Sequence, residues 1–115
     1  MKFILSLLLL VLPLAAAPSS EQAASYLSSL HQDTGGYKNL GSDPLPTIAA
    51  TNMAMRTFRF LGIELTDTAL QKAFLLSRFD KSKAAFVENG EKSPTVLANA
   101  MALMLMAELR MPEDV

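Results

Sequence analysis

Cysteine is absent from this 115-residue chain, and histidine occurs once, as His31. The first absence excludes disulfide staples, a lipid-modified amino-terminal cysteine and any thiolate metal site, so helix packing has to supply the stability. A basic stripe is missing as well. Ten Lys and Arg stand against eleven Asp and Glu, a balance that cannot neutralise a run of phosphates, and nucleic acid is not an expected partner. No window alternates apolar and polar residues at the period of a strand, which points to an all-α chain.

What is present begins with a targeting pattern over residues 1–17. Lys2 gives a positive start, Phe3 to Leu14 form an apolar run broken only by Ser6 and Pro13, and Ala15-Ala16-Ala17 supply the small residues of a cleavage site. The run is too short to span a bilayer, so it reads as a secretory signal and not as a transmembrane helix. Export follows as the expected localisation, into a periplasm, a secretory lumen or the medium. Residues 18–115 then form one helical region.

Within that region the chain is written nearly twice, at a spacing of about forty-eight residues. Pro46-Thr47-Ile48-Ala49-Ala50 matches Pro94-Thr95-Val96-Leu97-Ala98, Met53-Ala54 matches Met101-Ala102, and Leu61 matches Leu109. Upstream, Tyr26-Leu27 matches Phe74-Leu75, and Gly35-Gly36-Tyr37 matches Ala84-Ala85-Phe86 after a one-residue slip. Two helical hairpins are expected, one over about 20–65 and one over about 66–112.

The first helix starts at Ser19 or Ser20, with Gln22 closing a capping box, carries Ala23, Tyr26, Leu27 and Leu30 at helical spacing, and stops before Gly35-Gly36. The second opens at Pro46-Thr47 with proline at its first position and ends at Leu61, with Gly62 as terminator. The third opens at Thr66 or Asp67 and buries Leu70, Ala73, Phe74 and Ser77. The fourth repeats the proline start as Ser93-Pro94-Thr95 and runs to about Arg110.

The two second helices differ along one stripe. Asn52, Arg56 and Arg59 in the first hairpin correspond to Ala100, Met104 and Ala107 in the second. The polar stripe is expected to be a solvated capping face, as on a terminal repeat. The fourth helix is apolar on every side, a pattern found where protein surrounds a helix, so further helical repeats after Val115 or a protein partner are expected to cover it. A four-helix bundle closing on itself is the simpler alternative.

The spacing of Tyr26-Leu27, His31, Gly35 and Tyr37 resembles the repeat motif of the prenyltransferase and squalene oxidase family. There, an aromatic and an aliphatic residue precede a Gln, a Gly and a final aromatic. His31 stands where that family has Gln, and the second copy keeps Phe74-Leu75 and Phe86 but replaces the glycines. The resemblance implies an α/α toroid of outer and inner helices, of which two hairpins form an incomplete ring. It also implies chemistry whose residues are missing: no Asp-x-Asp-Asp of the terpene cyclases occurs, no Cys for a prenyltransferase zinc site, and no Cys with Glu-Gln for a thioester. A non-catalytic module for binding or scaffolding is therefore expected, with no cofactor and no metal. The alternative is the amino-terminal part of a terpene cyclase or prenyltransferase-like enzyme whose catalytic residues lie downstream.

The remaining candidates have structural explanations. His31 is the one side chain suited to acid–base work near neutrality, but its place at a helix end suits it to serving exposed carbonyls. Asp33, Asp43 and Asp80 lie in connectors, where carboxylates satisfy local amides. Gly35-Gly36 lacks the following Lys-Ser or Lys-Thr of a phosphate loop, so a sharp bend explains it. Tyr37 and Phe86 are expected to plug the junctions between hairpins. Met53, Met55, Met101, Met104, Met106 and Met111 suit helical core, with a hydrophobic ligand as the second possibility.

Overall fold

A computed structural model describes residues 19–112 of the chain; the signal segment expected over residues 1–17 lies outside them. The described residues are mostly helical: α1 (Ser20–Ser29), α2 (Ile48–Phe60), α3 (Ala69–Ser77) and α4 (Val96–Glu108), with a two-stranded ribbon of β1 (Phe79–Asp80) and β2 (Ala85–Phe86). The strands pair antiparallel, Phe79 opposite Phe86 and Asp80 opposite Ala85. They are too short to show an alternating pattern in sequence, which is why an all-α chain was the expectation. At the corresponding place in the first hairpin, isolated bridges join His31 to Tyr37 and Tyr37 to Thr47.

The helix starts follow local chemistry. At α1, Ser19 accepts from the Gln22 amide and Gln22 returns a bond to the Ser19 amide, a complete capping box. At α2 and α4, Thr47 and Thr95 occupy the cap and accept from the Ala50 and Ala98 amides. Pro46 and Pro94 therefore precede the caps and do not occupy the first helical turn. Gly62 ends α2 with φ +75°, and Arg110 adopts φ +53° at the matching place after α4. The third helix opens later than Thr66 or Asp67: Asp67 Oδ1 accepts from the Ala69 amide, and Ala69 is the first helical residue.

The core lies between the two hairpins. Ile48, Ala54, Met55 and Phe58 of α2 meet Ala102, Leu105 and Met106 of α4, with Phe74 and Leu75 of α3 and the connector aromatics Tyr37 and Phe86 in the same cluster. Contacts advance together along α2 and α4, Asn52 with Met101 and then Arg59 with Glu108. The helices thus run parallel. Two expected faces need correction. Tyr26 is 57% exposed, and in α3 the buried residues are Gln71, Phe74 and Leu75, whereas Leu70, Ala73 and Ser77 face solvent. The docking of α3 on the first connector turns the helix toward Gln71, a polar residue that periodicity of apolar side chains does not select.

Candidate functional site

The seam between the hairpins is built by the connectors. Each connector aromatic is fixed by the helix that follows it, α2 or α4: the Tyr37 amide donates to Thr51 Oγ1 at 2.9 Å, and the Phe86 amide donates to Asn99 Oδ1 at 2.8 Å. Each also meets a second ring edge-on at 5.0 Å, His31 against Tyr37 and Phe79 against Phe86. His31 thus occupies the place of a phenylalanine.

The second connector clamps the first hairpin. Glu88 accepts from the Ile48 amide at 2.7 Å and from the Ala49 amide at 3.2 Å, and Asn89 donates to the Pro46 carbonyl at 3.1 Å. A carboxylate on the first amides of α2 satisfies donors with no intrahelical partner and favours the positive end of the helix dipole. Glu88 is forty residues from Ile48 in sequence, so nothing local in the chain marks it for this role.

The first connector is clamped by α3. Gln71 Nε2 donates to the buried Gly35 carbonyl at 3.2 Å and faces His31 Nε2 at 3.1 Å. The Gly35 carbonyl requires the amide nitrogen there, so the second amide hydrogen points at His31, whose Nε2 is the acceptor. This contact replaces the expected role of His31 at the carbonyls of the first helix. An acceptor already committed to a buried amide is poorly placed as a general base. His31, Tyr37, Gln71, Leu65 and Leu70 line a shallow hollow of about 330 Å³ on this side.

Gly35 and Gly36 allow the approach. Gly35 has φ +94°, and a Cβ there would overlap the Leu70 carbonyl group and lie 2.9 Å from the Gln71 nitrogen. A Cβ on Gly36 would lie 2.7 Å from the Phe74 ring and 2.7 Å from Pro46. The glycines therefore make a close helix contact as well as a bend.

The stripe Asn52, Arg56 and Arg59 runs along the seam and is not a wholly solvated cap: Asn52 is enclosed, Arg56 is partly covered, and Arg59 stays largely in solvent. Asn52 is fully buried, with Nδ2 on Met101 Sδ at 3.4 Å and Oδ1 without a protein partner. Arg56 and Arg59 reach Glu108 Oε1 at 3.6 and 3.1 Å. Sequence periodicity could not reveal this, because the groups that satisfy the stripe come from the other hairpin. Below them, Met55, Ile63, Leu65 and Leu109 line a cleft of about 300 Å³ rimmed by Arg59, Lys72, Glu64 and Glu108.

The open surface lies on α4. Val96 is 89% exposed, Leu97 64% and Leu103 62%, and Ala100, Met104 and Ala107 continue the same face. The remaining motif residues are structural in placement: Leu27 packs on the core edge, Phe74, Leu75 and Phe86 are buried, and Tyr26 stands outside. Asp43 accepts from the Leu40 amide, and Asp80 Oδ1 accepts from the Ser82 hydroxyl and from the Ser82 and Lys83 amides. The Ser82 hydroxyl, with the neighbouring amides and the Lys83 ammonium, holds the Asp80 carboxyl below its usual range. Among the described residues no three His, Cys, Asp or Glu side chains converge as a metal site would require, and no helix is long and apolar enough to cross a membrane.

Burial pushes the Tyr37 phenol above its ordinary value near 10. As pH rises, the unfolded chain loses this proton before the folded one. The stability tied to the group is therefore intact below about pH 10 and declines as pH climbs through the raised folded value. Tyr37→Phe is expected to flatten that alkaline decline, read as melting temperature against pH. An identical decline in the variant would assign it to other groups.

No family model, curated protein or solved structure matches this chain.

Proposed function

We propose that this chain is an exported, non-catalytic helical-repeat module that binds or scaffolds protein through its second hairpin. On this proposal it is related to the prenyltransferase and squalene oxidase repeats, with α1 and α3 as outer helices and α2 and α4 as inner helices of an α/α toroid arrangement. The observation that carries it is the α4 face. Six successive positions of that face, Val96, Leu97, Ala100, Leu103, Met104 and Ala107, are apolar, and all six are exposed. Leaving large apolar side chains in water forgoes about 1.5–3 kcal/mol each, a sizeable fraction of what a domain of this length has. A binding role recovers that energy.

Two features support a structural task for the residues that resemble a catalytic set. The one imidazole is engaged by Gln71 and packed on Tyr37, and Asp43 and Asp80 are occupied with their own turns. The test compares two variants of the chain isolated in the form its cell accumulates. Leu103→Glu is expected to abolish its assembly with protein while keeping its helicity, and His31→Asn to leave assembly intact. A turnover activity lost on changing His31 or Asp33 would overturn the proposal.

A further inference from the structure

The covered face of α2 and the open face of α4 are the same face, displaced by one hairpin. Shifting α2 by forty-eight residues (Thr47 to Thr95) carries Ile48, Asn52 and Met55 onto Val96, Ala100 and Leu103. Ile48 and Asn52 are fully buried and Met55 is 5% exposed, because α4 lies on them, whereas their counterparts face solvent. The same shift run backwards identifies the surface that fits there. The residues by which the second hairpin grips α2 include Phe74, Met101, Leu105 and Glu108, and they correspond to Tyr26, Met53, Thr57 and Phe60 of the first hairpin. Tyr26, Met53 and Phe60 are exposed, and Tyr26, Met53 and Thr57 edge a hollow of about 210 Å³ at the free side of that hairpin. Each end of the described molecule thus presents one half of the seam that its middle contains.

The side chains at the two ends have changed together. At the internal seam Arg56 and Arg59 meet Glu108. At the open ends the corresponding positions are Met104 and Ala107 on one side and Phe60 on the other. An ion pair has been replaced by an apolar pair on both partners, as self-complementary ends require. Asn39, two residues past Tyr37 as Glu88 is two past Phe86, would bring an amide oxygen to the free first amides of α4.

We infer that the α4 face is covered by the first hairpin of a second copy of this chain, head to tail, with Phe60 of one copy packed on Met104 and Ala107 of the next. This names the partner in the binding reading above and rests on it. The contact is heterologous, so it propagates to a ring or a filament and does not stop at a symmetric dimer. It is also looser than the internal seam. Ala84 and Ala85 replace Gly35 and Gly36, and Ala23 replaces Gln71, so the outer helix of the incoming copy is held farther off and the inner helices carry the contact.

The test reads mass in solution by sedimentation. The unaltered chain is expected to associate in a concentration-dependent way. Phe60→Glu alone and Met104→Arg with Ala107→Arg alone are each expected to be monomeric and helical. Mixed together they are expected to co-assemble in a one-to-one ratio, through the unaltered Phe60 contact at one seam and the rebuilt ion pair at the next, and salt is expected to break the assembly down to one-to-one pairs by weakening the second. Phe60 is 79% exposed, so its variant keeps the fold whatever the arginine variant does. Three results would each overturn the inference: a chain monomeric at its highest soluble concentration, association indifferent to Phe60→Glu, or a mixture that fails to pair. None of them produces turnover, so they leave the non-catalytic reading standing, while turnover dependent on His31 removes that reading separately.

Discussion

Gly35→Ala is expected to cost about 2–6 kcal/mol, summing the overpacking and left-handed-backbone terms, which is enough to unfold a domain of ordinary stability. Its Cβ has to enter space held by the Leu70 carbonyl, and that group belongs to the backbone of α3. A side chain can rotate away; a helix carbonyl moves only if the helix lifts. Lifting α3 breaks the bond from Gln71 to the Gly35 carbonyl and withdraws Phe74 from Gly36. Gly41→Ala is the control, since a Cβ there meets nothing within 4 Å, and its effect is expected to stay within about 0.5 kcal/mol. Chemical denaturation of the two variants decides the matter. Equal midpoints would mean that the connector does not seat on α3 as described.

Leu105→Ala is expected to cost about 2–5 kcal/mol, against about 0.5 kcal/mol or less for Leu103→Ala two residues away. Leu105 is fully buried in the seam against α2, and Leu103 is 62% exposed on the open face. The removed atoms are the same, so the difference measures the seam alone. Both are measured by urea unfolding at dilutions where the chain is monomeric, because association would add its own stability to Leu103. Similar losses at the two positions would mean that the face of α4 called open is covered in the monomer.

Much of this fold is legible in the residues. Ser19 with Gln22, Thr47, Thr95 and Gly62 mark helix ends through interactions spanning three or four residues, and such interactions are visible wherever the residues stand together. The matched polar residues Thr51 and Asn99, four places after the cap threonines, also carry a signal for the connector contacts that aromatic spacing alone does not reveal. The start of α3 is less legible because Thr68 makes no side-chain cap bond and the first amide is served by Asp67.

The sequence by itself determined the helical segments, the capping box at Ser19, the stop at Gly62 and the apolar character of α4, since these depend on near neighbours and on helical period. Only the tertiary structure decided which faces meet: that Asn52 is enclosed and Arg56 and Arg59 pair with Glu108, that Glu88 caps α2 and that Gln71 holds Gly35 and His31. The physical reason is range. A polar side chain is stable in a seam when a group some forty to fifty residues away satisfies it, and no local pattern carries that partner's position.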